Sequence, residues 1–291
     1  MKDFYGPRNN SAREKESESS LEKRFKKLKE IVTNMDSVLV AYSGGVDSTL
    51  VMKVAKDVLG DKVLAVTARS TVYPSDEIEE AKAVAGNLKV RHEIIETQEM
   101  ANPKFVNNPK DRCYWCKEEL FTSLIGIAAK NDLKYVLDGT NFDDLDDFRP
   151  GMKAAGDLGI RSPLKDAMLT KEDIRSLSKR LGLPAWNKPS LACFASRFPY
   201  GTKITEENLN KVDRAERCLK ESGIAQVRVR HHDQIARIEV MEEDIPKLLE
   251  ERLRRQVISG FKKLGYSYVT VDLEGYRTGS MNEVLKGDDR R

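Results

Sequence analysis

Histidine, tryptophan and cysteine are scarce in this chain: its 291 residues include three His, two Trp and four Cys. The histidines stand at 92, 231 and 232, and none has the spacing of a zinc ligand. Four cysteines, two of them in Cys113-x-x-Cys116, fit a reducing compartment better than a disulfide framework. Charge of one sign is lacking as well. The balance of 50 Lys and Arg against 47 Asp and Glu leaves +3, without the electrostatic footprint of a nucleic-acid binder. No apolar run approaches the length needed to cross a bilayer, and the first residues lack a signal-peptide core. With 33% charged residues and a mean hydropathy of −0.54, the composition fits a soluble, cytoplasmic protein that uses neither a membrane nor a nucleic acid as partner. Internal repeats are absent, and the length suggests two domains.

What is present begins with a loop. Ser37-Val38-Leu39-Val40-Ala41-Tyr42 reads as a buried strand and Thr49–Ala55 as helix, with Ser43-Gly44-Gly45-Val46-Asp47-Ser48 between them. Two glycines let the backbone turn sharply and bring N–H groups to an anion, while Ser43, Ser48 and the helix N-terminus add donors and partial positive charge. Asp47 would repel a polyanion unless it held Mg²⁺ between carboxylate and phosphate. The loop is neither Gly-x-x-x-x-Gly-Lys-[Ser/Thr] nor Gly-x-Gly-x-x-Gly. It resembles the PP-loop of the ATP pyrophosphatase superfamily, which makes Ala41, Ser43, Gly44, Gly45, Val46, Asp47 and Ser48 candidate contacts for ATP and Mg²⁺.

Residues 1–18 are polar without periodicity and read as a disordered tail. An amphipathic helix is expected over Leu21–Val32, then strand 37–42, helix 48–59, strand 62–67, helix 75–86 and strand 90–95. An irregular stretch near 101–112 precedes helix 114–130, strand 134–138, helix 150–158 and helix 170–181. Val-, Leu- and Ile-rich strands alternating with helices imply an α/β fold, a Rossmann-like parallel sheet covered on both faces. A second character begins at Ile204: helix Thr205–Ser222, strands Gln226–Arg230 and Ile235–Val240, helices over 242–264 and strand Ser267–Val271. The expected division is a tail 1–18, a PP-loop domain 19–203 and a small α+β domain 204–291 for substrate or oligomerisation.

Other site candidates fall at the same ends of the expected strands. Val66-Thr67-Ala68 closes the second strand, where the superfamily resemblance places adenine and ribose on Thr67. Gly139-Thr140-Asn141 leads into an acidic loop and Arg149, which the acids supply with charge partners; this resembles a second nucleotide-contacting loop. Arg161-Ser162-Pro163-Leu164 reads as a further strand end. For the cysteines three readings stand: Cys113, Cys116 and Cys193 as ligands of a [4Fe–4S] cluster with one open iron, a zinc site, or a redox dithiol at Cys113/Cys116. Cys218, alone on a charged helix, reads as a packing residue.

Arg112-Cys113-Tyr114-Trp115-Cys116-Lys117, Lys188-Pro189-Ser190-Leu191-Ala192-Cys193-Phe194-Ala195-Ser196-Arg197-Phe198-Pro199-Tyr200-Gly201, Val227-Arg228-Val229-Arg230 and Gly275-Tyr276-Arg277-Thr278-Gly279-Ser280 extend the resemblance. With the PP-loop, they make residues 37–282 similar to the LarE family of ATP-dependent sulfur transferases, which serve assembly of the nickel-pincer nucleotide cofactor. The resemblance implies an enzyme that adenylates the carboxylates of a pyridinium dicarboxylate mononucleotide, releases pyrophosphate and inserts sulfur to give thiocarboxylates. It implies catalytic roles for Cys193, Asp47, Ser196 and Arg197, a sulfide or persulfide donor, and a homo-oligomer. Some members sacrifice the sulfur of the cysteine at the position of Cys193; others carry two more cysteines and a cluster, the pattern found here. Alternating Arg228 and Arg230 share a strand face and, with Arg277, are candidates for the substrate phosphate. A tRNA-thiolating enzyme of the same superfamily and a nucleotide-sensing module without turnover are the alternatives.

Overall fold

The computed structural model describes residues 10–74, 76–146, 150–189, 192–277 and 279–285. Its helices are α1 (Asn10–Thr33), α2 (Val46–Leu59), α3 (Asp76–Asn87), α4 (Pro103–Val106), α5 (Arg112–Lys130), α6 (Pro150–Asp157), α7 (Pro163–Asp166), α8 (Lys171–Arg180), α9 (Glu206–Glu221), α10 (Ile245–Leu249) and α11 (Glu251–Lys263). Its strands are β1 (Val38–Ala41), β2 (Val63–Arg69), β3 (Arg91–Glu96), β4 (Tyr135–Leu137), β5 (Val227–His232), β6 (Ile235–Val240) and β7 (Tyr268–Val271).

The chain divides into two compact units: 1–68, 78–95 and 120–188 form the first, and 69–77, 96–119 and 189–291 the second. In the first, strand order is β3-β2-β1-β4, and β1 pairs in parallel with β2 and β4. Alternation along the strands decides the layers. Val38, Val40, Val63 and Ala65 face a core shared with Phe25 and Leu28 of α1, Leu50 and Val54 of α2, and Ile174 and Leu177 of α8. The intervening Leu39, Leu64 and Val66 face Phe121, Leu124 and Ala128 of α5 and Ala155 of α6. Both faces are therefore dry, as a parallel sheet requires. The chain leaves β1 toward β2 and β3, then returns to β1's other edge as β4. The reversal places the loops after β1 and β4 side by side, where open α/β sheets bind ligands.

In the second unit β5 and β6 are antiparallel and β7 runs parallel to β6. Val227, Val229, Ile238 and Val240 bury one face against Leu219 of α9 and Val257 and Phe261 of α11.

Several expectations change. Helix α1 starts at Asn10, inside the stretch read as tail; Ala12, Arg13, Glu14, Lys15 and Glu16 are strong helix formers, while residues 1–9 lie outside the described set. Strand β2 continues to Arg69, so Thr67 is within it rather than at its end. The segment read as a strand end near Arg161 makes only one parallel bridge, Leu137 to Arg161, before Pro163 opens the short α7. The C-terminal stretch of the second unit starts at Pro189, upstream of Ile204, because Phe194, Phe198 and Ile204 share a core with Leu209 and Val212 of α9, joined by Val72 and Phe105 of the unit's earlier segments. Among the described residues, no helix is long and apolar enough to cross a membrane.

Candidate active site

In the first unit, the turn after β1 is set by Gly44 at φ 74° and by Gly45, the N-cap of α2. Its hydroxyls are bonded to one another and to the turn's backbone. Ser43 N donates to Ser48 Oγ at 3.2 Å, Ser48 Oγ donates to Gly45 O at 3.2 Å, and the Ser43 and Ser48 hydroxyls lie 3.1 Å apart. Gly45 N donates to Ser43 Oγ at 3.4 Å and Thr49 Oγ1 to Gly45 O at 2.8 Å. A loop held this way has little ordering left to do when an anion binds.

The loop after β4 packs directly against it. A β-carbon on Gly139 would meet Ser48 N at 3.0 Å and Asp47 Cβ at 3.2 Å, so only glycine fits without displacing backbone. Thr140 Oγ1 donates to Asp138 Oδ2 at 2.6 Å, Asn141 N to Asp144 Oδ2 at 3.0 Å, and Asn141 Nδ2 to Asp47 Oδ1 at 3.3 Å. The other Asp47 oxygen accepts from Lys171 Nζ. Partly solvated, such a pair is worth about 0–1 kcal/mol. Sequence reasoning missed Lys171; the only signal was its place behind Thr170 in a Thr-Lys-Glu-Asp helix start. Arg149 lies outside the described residues.

Thr67 sits beside this loop with its hydroxyl already engaged: Oγ1 donates to Tyr42 O at 2.7 Å and lies 2.8 Å from His92 Nε2. Burial depresses the His92 pKa and favours the neutral ring. With the Thr67 proton given to Tyr42 O, Nε2 carries the ring proton and donates to Thr67.

The cysteine motifs lie in the second unit. Cys113 and Cys116 fall in the first turns of α5, and Cys193 caps a 3₁₀ turn, Phe194–Arg197. Cys113 is exposed, whereas Cys116 and Cys193 pack against the apolar cluster of Val72, Phe105 and Phe194. Burial pushes the Cys116 thiol far up, with the charges of Cys193, Glu99 and Cys113 adding to it. The Tyr73 hydroxyl, on a side chain that is partly exposed, is raised too, first by desolvation and then by Cys193, Cys116, Cys113 and Glu99. The three thiols thus share one neighbourhood. Glu99, which sequence reasoning did not single out, is buried there; Oε1 accepts from Ser70 Oγ, and Oε2 has no hydrogen-bond partner among the described residues. Among those residues no three His, Cys, Asp or Glu side chains stand close enough to hold one metal ion. Cys218 lies against Gly260, whose β-carbon would stand 3.4 Å from its sulfur.

The arginines have structural occupations. Arg197, 3% exposed, grips Glu216 through Nε at 2.8 Å and Nη2 at 3.0 Å, and donates through Nη1 to Ala192 O, Cys193 O and Ser196 Oγ. Ser196 Oγ donates in turn to Cys193 O at 2.8 Å. Both residues therefore shape the Cys193 loop. Arg230 binds Glu239 at 2.9 and 2.7 Å and also donates to Ser196 O and Ser280 Oγ. Arg228 is buried over the Tyr276 ring at 5.3 Å, and desolvation lowers its pKa. Arg277 is more open, paired with Glu274 and Glu283.

Parallel sheet, glycine turn and helix N-terminus define the class: a PP-loop α/β domain, joined to a small α+β unit. Comparison with known proteins agrees. A family model described as NAD synthase matches residues 20–112. An uncharacterised protein of Synechocystis is 46% identical over 265 residues, 91% of this chain and 99% of its own. The pyridinium-3,5-bisthiocarboxylic acid mononucleotide synthase of Lactiplantibacillus plantarum is 42% identical over 255 residues, 87% of this chain and 91% of its own. An uncharacterised protein of Methanocaldococcus jannaschii is 29% identical over 260 residues, 89% of this chain and 95% of its own. The chain belongs to the family of pyridinium-3,5-bisthiocarboxylic acid mononucleotide synthases, the LarE family.

Proposed function

We propose that this protein is an ATP-dependent sulfur transferase that converts carboxylates of a pyridinium dicarboxylate mononucleotide to thiocarboxylates. The observation that carries the reading is the preformed loop, with Ser43 and Ser48 cross-bonded and Gly139 seated on Ser48, in a chain of this family. A carboxylate is a poor acceptor for sulfur because oxide would have to leave. Attack of a substrate carboxylate oxygen on the α-phosphorus of ATP expels pyrophosphate and leaves an acyl-adenylate, from which AMP departs readily. Backbone N–H groups and hydroxyls of Ser43–Ser48 would stabilise the charge of the departing pyrophosphate, the kind of preorganisation that dominates catalysis.

The Asp47 carboxylate is a hard oxygen donor of the kind that Mg²⁺ takes, and Asn141 Nδ2 and Lys171 Nζ, which bond its two oxygens, would give way to the ion. Asp47 would hold the ion, which screens the triphosphate charge when bound. Cys113, Cys116 and Cys193 are soft donors of the type that holds a [4Fe–4S] cluster, and their sulfurs would ligate three of its irons. Such a cluster would supply an open iron for incoming sulfide. The chain's own contribution there is to fix Cys193 through Arg197 and Ser196 and to exclude water with Phe105 and Phe194. For the substrate phosphate, Arg277 is the most open of the three candidate arginines, Arg228 and Arg230 being buried.

Pyrophosphate release from ATP in the presence of the pyridinium mononucleotide tests the reading. Asp47→Asn should abolish release with the fold intact; near-normal release would remove Asp47 from the site. Iron and acid-labile sulfide after anaerobic purification test the cluster. Changing Cys113, Cys116 or Cys193 to Ala should each lose most of the iron and all sulfur transfer while adenylation survives. Iron-free protein that becomes about 34 Da lighter after turnover, the mass of H₂S, would instead make Cys193 a sacrificial donor.

A further inference from the structure

Arg197 and Arg230 show how the second unit accommodates a buried guanidinium. Each turns the edge formed by Nε and Nη2 onto a glutamate, Arg197 onto Glu216 and Arg230 onto Glu239. Arg112, 3% exposed at the start of α5, pairs with no carboxylate among the described residues. Its Nη1 donates to Asn108 Oδ1 at 2.8 Å, and the Tyr200 ring centroid lies 5.0 Å from its guanidinium carbon. Nη2 meets Met281 Sδ at 3.4 Å, and Nε has no hydrogen-bond partner among those residues. The edge that grips a glutamate elsewhere thus faces a thioether, a weak acceptor. Taking a cation out of water without an opposite charge is costly, so a guanidinium held this way is a receptor for an anion.

The groups around Arg112 are themselves tied down. Asn108 Nδ2 donates to Pro199 O at 2.7 Å and to Phe198 O at 3.3 Å, and Gly201 N donates to Asn108 O at 2.9 Å. Tyr200 Oη donates to Asn282 Oδ1 at 3.0 Å. These bonds hold Arg112 between the Cys113-x-x-Cys116 helix start and the turn that follows the Cys193 loop. The N-terminus of α5 adds partial charge of the same sign. Enclosure limits the occupant to an ion of atomic size, which disfavours a phosphate or carboxylate carried on a nucleotide. The polarisable Met281 sulfur suits a soft anion. We propose that Arg112 binds the hydrosulfide anion that brings sulfur to the thiols, on its Nε–Nη2 edge, one residue before Cys113. The inference rests on the sulfur-transfer reading and adds a subsite for the sulfur donor.

Bromide, a monovalent anion close to hydrosulfide in size, is the probe. In the anaerobic full chain, with ionic strength held constant by gluconate, bromide should raise the wild-type melting temperature, since a ligand of the folded state stabilises it by mass action. Arg112→Met should abolish that response, and Arg112→Lys, which keeps the charge, should retain part of it. In sulfur-transfer assays Arg112→Met should raise the KM for sulfide about tenfold or more, with the KM for the pyridinium mononucleotide unmoved. Bromide should raise the wild-type KM for sulfide and leave that of Arg112→Met as it is. A wild type indifferent to bromide would overturn the proposal and leave Arg112 a structural residue satisfied by water; this is read without any variant, so it decides even where Arg112→Met does not fold. A bromide response that persists in Arg112→Met would overturn it too. So would a raised KM for the mononucleotide with sulfide unaffected, which would make the subsite one for a substrate carboxylate. A wild type stabilised by bromide through Arg112 that takes no sulfur from sulfide would overturn the hydrosulfide assignment through the sulfur-transfer reading beneath it, an outcome told apart from the others by the surviving bromide response.

Discussion

A β-carbon on Gly139 would stand 3.0 Å from the backbone nitrogen of Ser48, so the loop after β4 and the phosphate loop after β1 touch at a point that only glycine satisfies. Gly139→Ala should push the two loops apart by a few tenths of an ångström. Overpacking of this sort costs about 1–3 kcal/mol. We expect a modest fall in melting temperature and at least about tenfold weaker Mg²⁺–ATP binding, because the donors on Ser48 are displaced. Calorimetry and thermal melts on the same sample separate the two effects, and undiminished ATP affinity would detach Gly139 from the nucleotide site.

Arg197 and Glu216 form a doubly bonded ion pair, 3% and 2% exposed. Desolvation opposes ionisation of Glu216, but Arg197, together with Arg228 and Val229 N, holds its pKa below the usual carboxylate value. Breaking a buried pair strands a charge and costs about 3–5 kcal/mol. Arg197→Met should therefore destabilise by that amount in urea unfolding, and Arg197→Met with Glu216→Leu should recover much of the loss. If the double variant is as unstable as the single one, the arginine's bonds to the Cys193 loop matter more than its pairing.

Burial lowers the pKa of all three histidines from 6.5. The unfolded chain then binds protons first as pH falls through about 6.5, so stability decreases on acidification until the folded pKa values are reached. Melting temperature should drop from pH 7.5 to pH 5.5. Replacing His92 and His231 by Gln should flatten the slope, and a melting temperature that rises over this window would contradict the burial argument.

The thiols differ in accessibility. Cys113 is exposed, whereas Cys116 is half-buried against the apolar cluster and its thiol is pushed up by desolvation, so little of it is thiolate near neutral pH. In metal-free protein, iodoacetamide should alkylate Cys113 well before Cys116, as read by peptide mass spectrometry over time. Equal rates would show that Cys116 opens readily to solvent.

The layers of the first unit were legible because Val38 to Ala41 and Val63 to Val66 are apolar on both faces, and a dry parallel sheet follows from that. The phosphate loop was legible for the same local reason: strand, glycines and helix are contiguous. Lys171 was not, since a lysine in a polar helix start resembles ordinary solvated charge until the fold carries it 124 positions back to Asp47. The partners of the arginines were not legible either. Arg228 and Arg230 alternate as surface or ligand-binding cations do, but Glu239 is directly across the ladder from Arg228 and claims Arg230. Glu216 meets Arg197 from 19 positions away. Charge partners set by strand register and helix packing leave no periodic trace. The compact units differ from the expected division for a related reason: Val72 and Phe105 join the core of Phe194 and Ile204 from far upstream.

Cys193 is held by its carbonyl, which accepts from Arg197, from Ser196 N and from Ser196 Oγ, while its side chain forms no part of that clasp. That clasp is made on the backbone of Cys193, while the side chain contributes only its packing against Val72, Phe105 and Phe194. A molecule stripped of that sulfur would keep its shape, its nucleotide loop and its appetite for substrate, and would persist as an inert rival to fresh copies. For a cell that used the protein once per sulfur atom, removing exhausted molecules would matter as much as making new ones.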